Sequence, residues 1–154
     1  MKGHIKIGWF IIISTIIILF IFIVFAFIGG ILSYYKGYKI NNRIVGSIEK
    51  FEGYNKEAQE EINKNMGNLG YRHEYSGCNN TYKDMYLIEV GGEEYSYCIY
   101  SSYNPSDKNS IPKGGGYYQY GVLTYMNVNL PLVKEFSIPI FTRTNRIYKF
   151  SWKS

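Results

Sequence analysis

The stretch IGWFIIISTIIILFIFIVFAFIGGILSYY, residues 7–35, decides the fold of this chain. Its 29 consecutive residues include no Asp, Glu, Lys, Arg or His, and most of them are Ile, Phe, Leu or Val. A helix of this length rises about 43 Å, compared with about 30 Å for the hydrocarbon core of a bilayer. Tilting, or projection at either end, accommodates the surplus. The stretch therefore predicts a transmembrane anchor over residues 7–35, after a short tail of residues 1–6.

Two other kinds of segment share this composition. A cleavable signal peptide has an apolar stretch of about 7–15 residues that ends at a small-x-small site. Here the run is twice as long, and only weak sites occur, at residues 27–29 or 30–32. A core helix is the second alternative, but a helix that is apolar all round belongs in lipid or in a much larger protein. We therefore expect the anchor to stay attached.

The rest of the chain, residues 36–154, has the composition of one compact domain. It contains all 12 acidic residues and 15 of the 17 basic ones, so its net charge is +3. A nucleic-acid-binding domain usually has a dense basic stripe, which is missing here. We expect the membrane, and no nucleic acid, as a partner.

The side of the membrane on which this domain lies is predicted from its cysteines, because basic residues flank both ends of the anchor almost equally. Cys78 and Cys98 are the only two, and both lie beside predicted strands. As a disulfide they would contribute roughly 3 kcal/mol in an oxidising compartment. Two free thiols in a cytosolic domain are the alternative. We predict the disulfide and an extracytoplasmic domain on a single-pass protein of the cell membrane.

Residues 38–66 follow the anchor with no turn cluster between them, and they show a helical period. Their apolar residues recur at steps of three and four, which makes one face of a helix. Gly53 and Tyr54 interrupt the pattern and either bend the helix or split it. We predict one long helix, transmembrane and then amphipathic, whose second half packs against a sheet or a partner helix through Ile44, Ile48, Phe51 and Ile62.

Residues 71–154 change to the period of two that is typical of strands. The segments 85–90 and 95–100 predict a hairpin, 101–116 a loop, and 117–130 a long strand. Pro131 and Pro139 restrict 132–141 to an edge or bulged strand, and 146–152 closes the chain. The predicted class is α+β, with the helix packed on an antiparallel sheet of four or five strands.

Residues for catalysis or for a cofactor are sparse. His73 and Cys78 could form a catalytic pair, but the same cysteine better suits a disulfide. The glutamates at 89, 93 and 94 suit a solvated turn as well as a cation site. The glycines at 114–116 are not followed by the Lys-Ser/Thr of a phosphate loop. We expect no enzyme, no metal and no cofactor.

The order of these segments resembles type IV pilins and pseudopilins. It is most similar to the TadE-like pseudopilins of tight-adherence pilus systems, in the short forms of Gram-positive bacteria. The segments that carry the resemblance are NNRIV at 41–45, LGY at 69–71, YGVLTYMNVNLP at 120–131, IPI at 138–140 and RIYK at 146–149. The resemblance implies a non-enzymatic component of a surface pilus or secretion apparatus. Its anchor helix would then pack with other proteins of that system.

One feature departs from this family. Pilins cut by prepilin peptidase have a glycine at the cleavage point and a glutamate at the fifth position after it. After Gly3 and Gly8 the fifth residues are Gly8 and Ile13, and the first acidic residue of the chain is Glu49. A membrane-resident accessory role therefore fits better than a polymerising pilin. The alternative function is a membrane-tethered, extracytoplasmic binding or sensing module unrelated to pili.

Overall fold

The computed structural model describes residues 2–67, 77–91, 97–107, 109–110, 116–128 and 136–148. Within these residues the chain forms two helices, α1 (Lys2–Lys50) and α2 (Lys56–Gly67). The strands are β1 (Thr81–Tyr82), β2 (Met85–Gly91), β3 (Tyr97–Ser101), β4 (Tyr117–Tyr118), β5 (Tyr120–Val128), β6 (Phe136–Arg143) and β7 (Ile147–Tyr148).

The strands form an antiparallel sheet of order β1-β2-β3-β5-β6 and a separate pair, β4-β7. With α1 packed on the larger sheet, the predicted α+β class and antiparallel sheet are confirmed. Strand β6 is an edge strand, and its Pro139 lies opposite Tyr125. A proline is tolerated there because an edge strand has one side without a neighbour that needs its missing N–H.

The structure divides the predicted helix over residues 38–66 into two. Helix α1 ends at Lys50, and Glu52 and Gly53 then have positive φ angles of 53° and 152°. Such conformations end a helix, and glycine adopts them with least strain. Asn55 caps α2, since its Oδ1 accepts a hydrogen bond of 2.9 Å from the N–H of Ala58.

The main core lies between the two helices and one face of the sheet. The helical face of α1 that the sequence predicted, with Ile40, Ile44 and Ile48, is buried in it. Helix α2 adds its own apolar residues, so the helix pair covers this face of the sheet. The other buried members are Val45, Ile62, Met66, Tyr97, Ile99, Tyr118, Tyr120, Val122 and Ile147.

A second core covers the opposite face of the sheet, which the sequence analysis did not predict. Met85, Cys98, Tyr100 and Leu123 are buried there. As a result all five residues of β3 are buried. The sheet is therefore an internal layer, with the helices on one side and the segment before β2 on the other.

The predicted strand over residues 117–130 is interrupted at Gln119. The backbone N–H of Ser102 donates to the Gln119 carbonyl at 2.9 Å, and the Gln119 side chain donates to the Thr144 carbonyl at 3.1 Å. Residues before this point pair with β7, and residues after it join the larger sheet. The other predicted strands fall partly on residues 92–96, 129–135 and 149–154, which lie outside the described residues.

Candidate functional site

The first half of α1 is a bare apolar surface. Its most apolar stretch of 18 residues has a mean hydropathy of 3.3, and none of that stretch is buried. The side chains of Phe20 and Phe25 are 65% and 69% exposed. Of the described residues, only this helix is long and apolar enough to cross a membrane. This is consistent with single-pass anchoring.

The second half of α1 touches the sheet directly at Gly37. A Cβ atom at this position would lie 2.8 Å from Cδ1 of Ile140 and 3.2 Å from Sδ of Met126. These distances are shorter than ordinary van der Waals contact, so with a larger residue either the side chains of Ile140 and Met126 or the helix itself would have to shift. The glycine therefore permits the close approach of the helix to the sheet.

One turn further on, the Asn41 side chain binds the helix to both strands. Its Nδ2 lies 3.0 Å from the carbonyl oxygens of Val122 and Ile140, and 3.1 Å from Oγ1 of Thr124. The side chain is fully buried, and its Oδ1 accepts no hydrogen bond from the described residues. Hydrogen bonds in such surroundings are costly to lose, because the remaining partners stay buried.

Gly37 and Asn41 were missed by the sequence analysis, although a signal for both was present. They lie four residues apart on the face that continues through Ile44 and Ile48, and all four residues are buried. A small residue and an amide on an otherwise apolar helical face are typical of close helix packing with a polar contact. We call these two residues the helix–sheet joint.

On the other face of the sheet, Cys78 is bonded to Cys98, with 5.8 Å between their Cα atoms. Two tyrosine hydroxyls hold the same segment: Tyr100 donates to the Asn79 carbonyl at 3.0 Å and Tyr125 to the Gly77 carbonyl at 3.1 Å. Residues 77–79 are thus fastened across the second core by one covalent bond and two hydrogen bonds.

The double substitution Cys78→Ala with Cys98→Ala is expected to lower the free energy of unfolding by about 3 kcal/mol. The bond constrains the unfolded chain, and that constraint is lost in the variant. Denaturant unfolding with and without reductant measures the effect. Reductant should destabilise the natural protein and leave the double variant unchanged; equal stability of the two proteins under oxidising conditions contradicts this expectation.

At the opposite end of the domain from the anchor, tyrosines pack around the turn between the helices. Burial, followed by the neighbouring Tyr97 and Glu89, raises the pKa of Tyr54 well above its ordinary value. Burial also raises the pKa of Tyr97 and Tyr120. A raised tyrosine pKa means that the folded state holds the neutral form more strongly than the unfolded state does.

These tyrosines predict loss of stability at alkaline pH. Their folded pKa lies above the unfolded value of about 10, so their contribution is complete below that pH and decreases as the pH rises beyond it. Circular dichroism and tyrosinate absorbance, followed together, should show their ionisation coinciding with unfolding. Tyr54→Phe should weaken the pH dependence of the unfolding free energy above this pH, and the exposed control Tyr86→Phe should not. Equal pH dependence in both variants contradicts the assignment.

The same end carries an open pocket of about 320 Å³. In it, Oε1 of Glu49 accepts a hydrogen bond of 2.6 Å from the backbone N–H of Asn145. Beside it, the Arg146 guanidinium lies 4.5 Å from the centre of the Tyr117 ring, and the Tyr117 and Tyr148 rings are 5.9 Å apart. The pocket is lined by Glu49, Glu52, Asn145, Arg146, Ile147 and Tyr148.

The packing residues predicted from the sequence divide into two groups. Ile44, Ile48 and Ile62 are buried in the main core. Phe51 follows the last residue of α1 and is only half-buried, and the centre of its ring lies 5.0 Å from Nζ of Lys50. His73, the candidate partner of Cys78, lies outside the described residues, as do Glu93 and Glu94.

Within the described part of the chain, no three or more His, Cys, Asp and Glu side chains are placed to hold a metal ion. The structure brings together an exposed apolar helix and the helix–sheet joint that connects it to the domain. It also forms the pocket lined by Glu49 and Arg146, which we call the distal pocket. Comparisons with protein families, with curated proteins and with solved structures found no match to this chain.

Proposed function

We propose that the protein is a non-enzymatic, single-pass membrane component of a pseudopilin-like pilus or secretion apparatus. The observation that carries the proposal is the continuity of α1. One helix of 49 residues contains both the bare apolar surface and the residues buried in the domain core. A domain on a flexible linker would move independently of its anchor, whereas this helix couples the domain's position to the packing of helices in the membrane.

The helix–sheet joint supports the same proposal. A domain that only needs tethering requires no close contact between its anchor helix and its sheet. Here Gly37 allows direct contact with β5 and β6, and Asn41 hydrogen-bonds to both of these strands. Such a joint suits a protein whose domain must be held in a set orientation within an assembly.

Photo-crosslinking in cells tests the proposal. A photoreactive amino acid replaces Phe20 or Phe25, which are both highly exposed. We expect crosslinks to other membrane helices, including a secretion platform protein or single-pass proteins of the same system. The matched control replaces Tyr86, which is exposed on the domain and away from the anchor. Crosslinks to lipid alone from both helix positions contradict the proposal.

We further propose that the domain is extracytoplasmic, which the bond between Cys78 and Cys98 supports because such bonds persist in oxidising compartments. An impermeant maleimide should label intact cells only after reductant is added. A Gly3→Cys substitution in the N-terminal tail, made together with Cys78→Ala and Cys98→Ala, should be labelled only after lysis. Labelling in the reverse pattern places the domain in the cytoplasm.

A membrane-tethered binding module is the second candidate, and the distal pocket favours it. The exposed rings of Tyr117 and Tyr148 lie beside the Arg146 guanidinium, in an arrangement suited to contact with a polar ligand. If the pocket is the functional site, Tyr148→Ala and Arg146→Ala abolish the cellular function of the protein but leave the crosslinks made by α1 unchanged. If the pilus proposal is correct, that function depends on the crosslinked partner proteins instead.

A further inference from the structure

A groove separates α1 from the ends of β5 and β6, and its volume is about 420 Å³. Its surface is formed by apolar atoms only. The helix contributes Ile23, Ala26, Phe27, Gly30, Ile31 and Tyr34, and the two strands contribute Val128 and Ile138. At Ala26 and Gly30 the side chains are small, and a Cβ atom on Gly30 would meet nothing within 4 Å. The recess in the helix surface is therefore open space.

The position of the groove along α1 places it at the level of the bilayer. All six helix residues that line it belong to the apolar run of residues 7–35. A vertical helix that enters the hydrocarbon at Ile7 crosses about 30 Å in 20 residues, which already includes Ile23 and Ala26. A helix that leaves the hydrocarbon at Tyr35 includes the whole groove. In both placements the end of the groove formed by Ile23 and Ala26 opens into lipid.

The exposed residues of α1 favour the deeper placement. Phe27 and Ile31 are 70% and 66% exposed, and Ile28 and Leu32 are also exposed. If the hydrocarbon ended below them, these four large apolar side chains would lie in water. With the boundary near Tyr34 they are covered by lipid, and a tyrosine lies at the interface, where this residue is favoured. Met126 and Ile140 lie at the level of Gly37, so the ends of β5 and β6, two residues further along each strand, lie near this boundary beside the helix.

We propose that this groove binds one acyl chain of a membrane phospholipid, so that the β5–β6 end of the sheet is seated on the surface of the bilayer. This inference rests on the membrane anchoring proposed above. The lining has nothing to pair with a polar ligand, and the groove is continuous with the helix surface that faces lipid. A partner helix fits less well, because a helix about 10 Å across would fill a space of this volume with a single turn.

Fluorescence quenching by brominated phospholipids tests the seating. The chain has two tryptophans, and a parent variant with Trp9→Phe and Trp152→Phe has none. Ile138→Trp is then introduced, and the full chain is placed in nanodiscs of phosphatidylcholine with or without bromine on the acyl chains. We expect the brominated lipid to reduce the emission at least about twofold. The same substitution at Tyr148, at the distal end, should show no quenching.

Two neighbouring glycines provide a matched test of the groove itself. Neither Gly29 nor Gly30 has another atom within 4 Å of an added Cβ, but only Gly30 lines the groove. Gly30→Leu fills the space and should remove most of the quenching at the Ile138→Trp position. Gly29→Leu should leave it unchanged. Native mass spectrometry should likewise detect one retained phospholipid with Gly29→Leu and none with Gly30→Leu.

The outcomes separate this inference from the proposed anchoring. A variant that keeps Trp9 reports on the anchor alone, and an unquenched Trp9 would show that anchoring itself fails. Quenched Trp9 with an unquenched tryptophan at position 138 overturns the seating of the sheet. Equal effects of Gly29→Leu and Gly30→Leu overturn the acyl-chain site. If the quenching disappears when each disc holds two copies of the protein, the groove binds a second copy. This outcome also overturns the acyl-chain site.

Discussion

A chain that begins at Leu69 is expected not to fold, whereas one that begins at Lys36 should be soluble and unfold cooperatively. The shorter chain lacks six apolar residues that are buried in the main core: Ile40, Ile44, Val45, Ile48, Ile62 and Met66. Burying each contributes about 1.5–3 kcal/mol, so their sum is about 9–18 kcal/mol. The net stability of a domain is about 5–15 kcal/mol, so the loss is comparable to the whole of it.

Thermal melting followed by circular dichroism measures this difference. The longer chain is the matched control, since it lacks the anchor but keeps Gly37, Asn41 and both helical segments of the core. A cooperative transition of the shorter chain at the same temperature would show that the helices are only a stalk. In that case the sheet would be stable alone, and the proposed coupling between anchor and domain would fail as well.

The second large effect is expected for Asn41→Asp, which should lower the free energy of unfolding by about 3–5 kcal/mol at neutral pH. The change is nearly isosteric, but it replaces the donating amide by a carboxylate oxygen. That oxygen would face the acceptor carbonyls of Val122 and Ile140 at about 3 Å, and only the Thr124 hydroxyl could turn to donate to it. The buried charge adds its desolvation penalty to the repulsion from the two carbonyls.

Asn42→Asp is the matched control, because Asn42 is the next residue and its side chain is exposed. It should change stability by less than about 0.5 kcal/mol. Burial raises the pKa of the new carboxyl above its unfolded value of about 4, so the penalty at position 41 should decrease as the pH falls towards about 4, because protonation returns a donor to the site. Denaturant unfolding at neutral and acidic pH compares the two variants. Equal stability of both at neutral pH would mean that the joint contributes little.

Composition and periodicity were sufficient to predict the long apolar helix and the parts of the fold with regular patterns. The uncharged run of 29 residues lies in a helix long and apolar enough to cross a membrane, which is consistent with single-pass anchoring. The steps of three and four that include Ile44 and Ile48 predicted the face of α1 that is buried, because a helix can bury only one stripe on a sheet. Pro139 predicted an edge strand, since its missing N–H excludes a central position.

Contacts between residues distant in sequence required the tertiary structure. In the sequence, Asn41 is an ordinary polar residue of a helix. Its role depends on contacts with Val122 and Ile140, which lie more than 80 positions further along the chain. The second core also escaped the sequence patterns, because both faces of β3 are buried and its residues do not alternate between apolar and polar.

The division between α1 and α2 depended on both the local sequence and the tertiary contacts. Gly53 marked an interruption, and the sequence determined that the helical pattern would weaken there. Whether the helix bent or split depended on whether α2 could bury Ile62 and Met66 beside α1 and the sheet. Local propensity determined where the chain could turn, and the burial of apolar surface between distant segments decided that it did, because only the folded domain offers that surface.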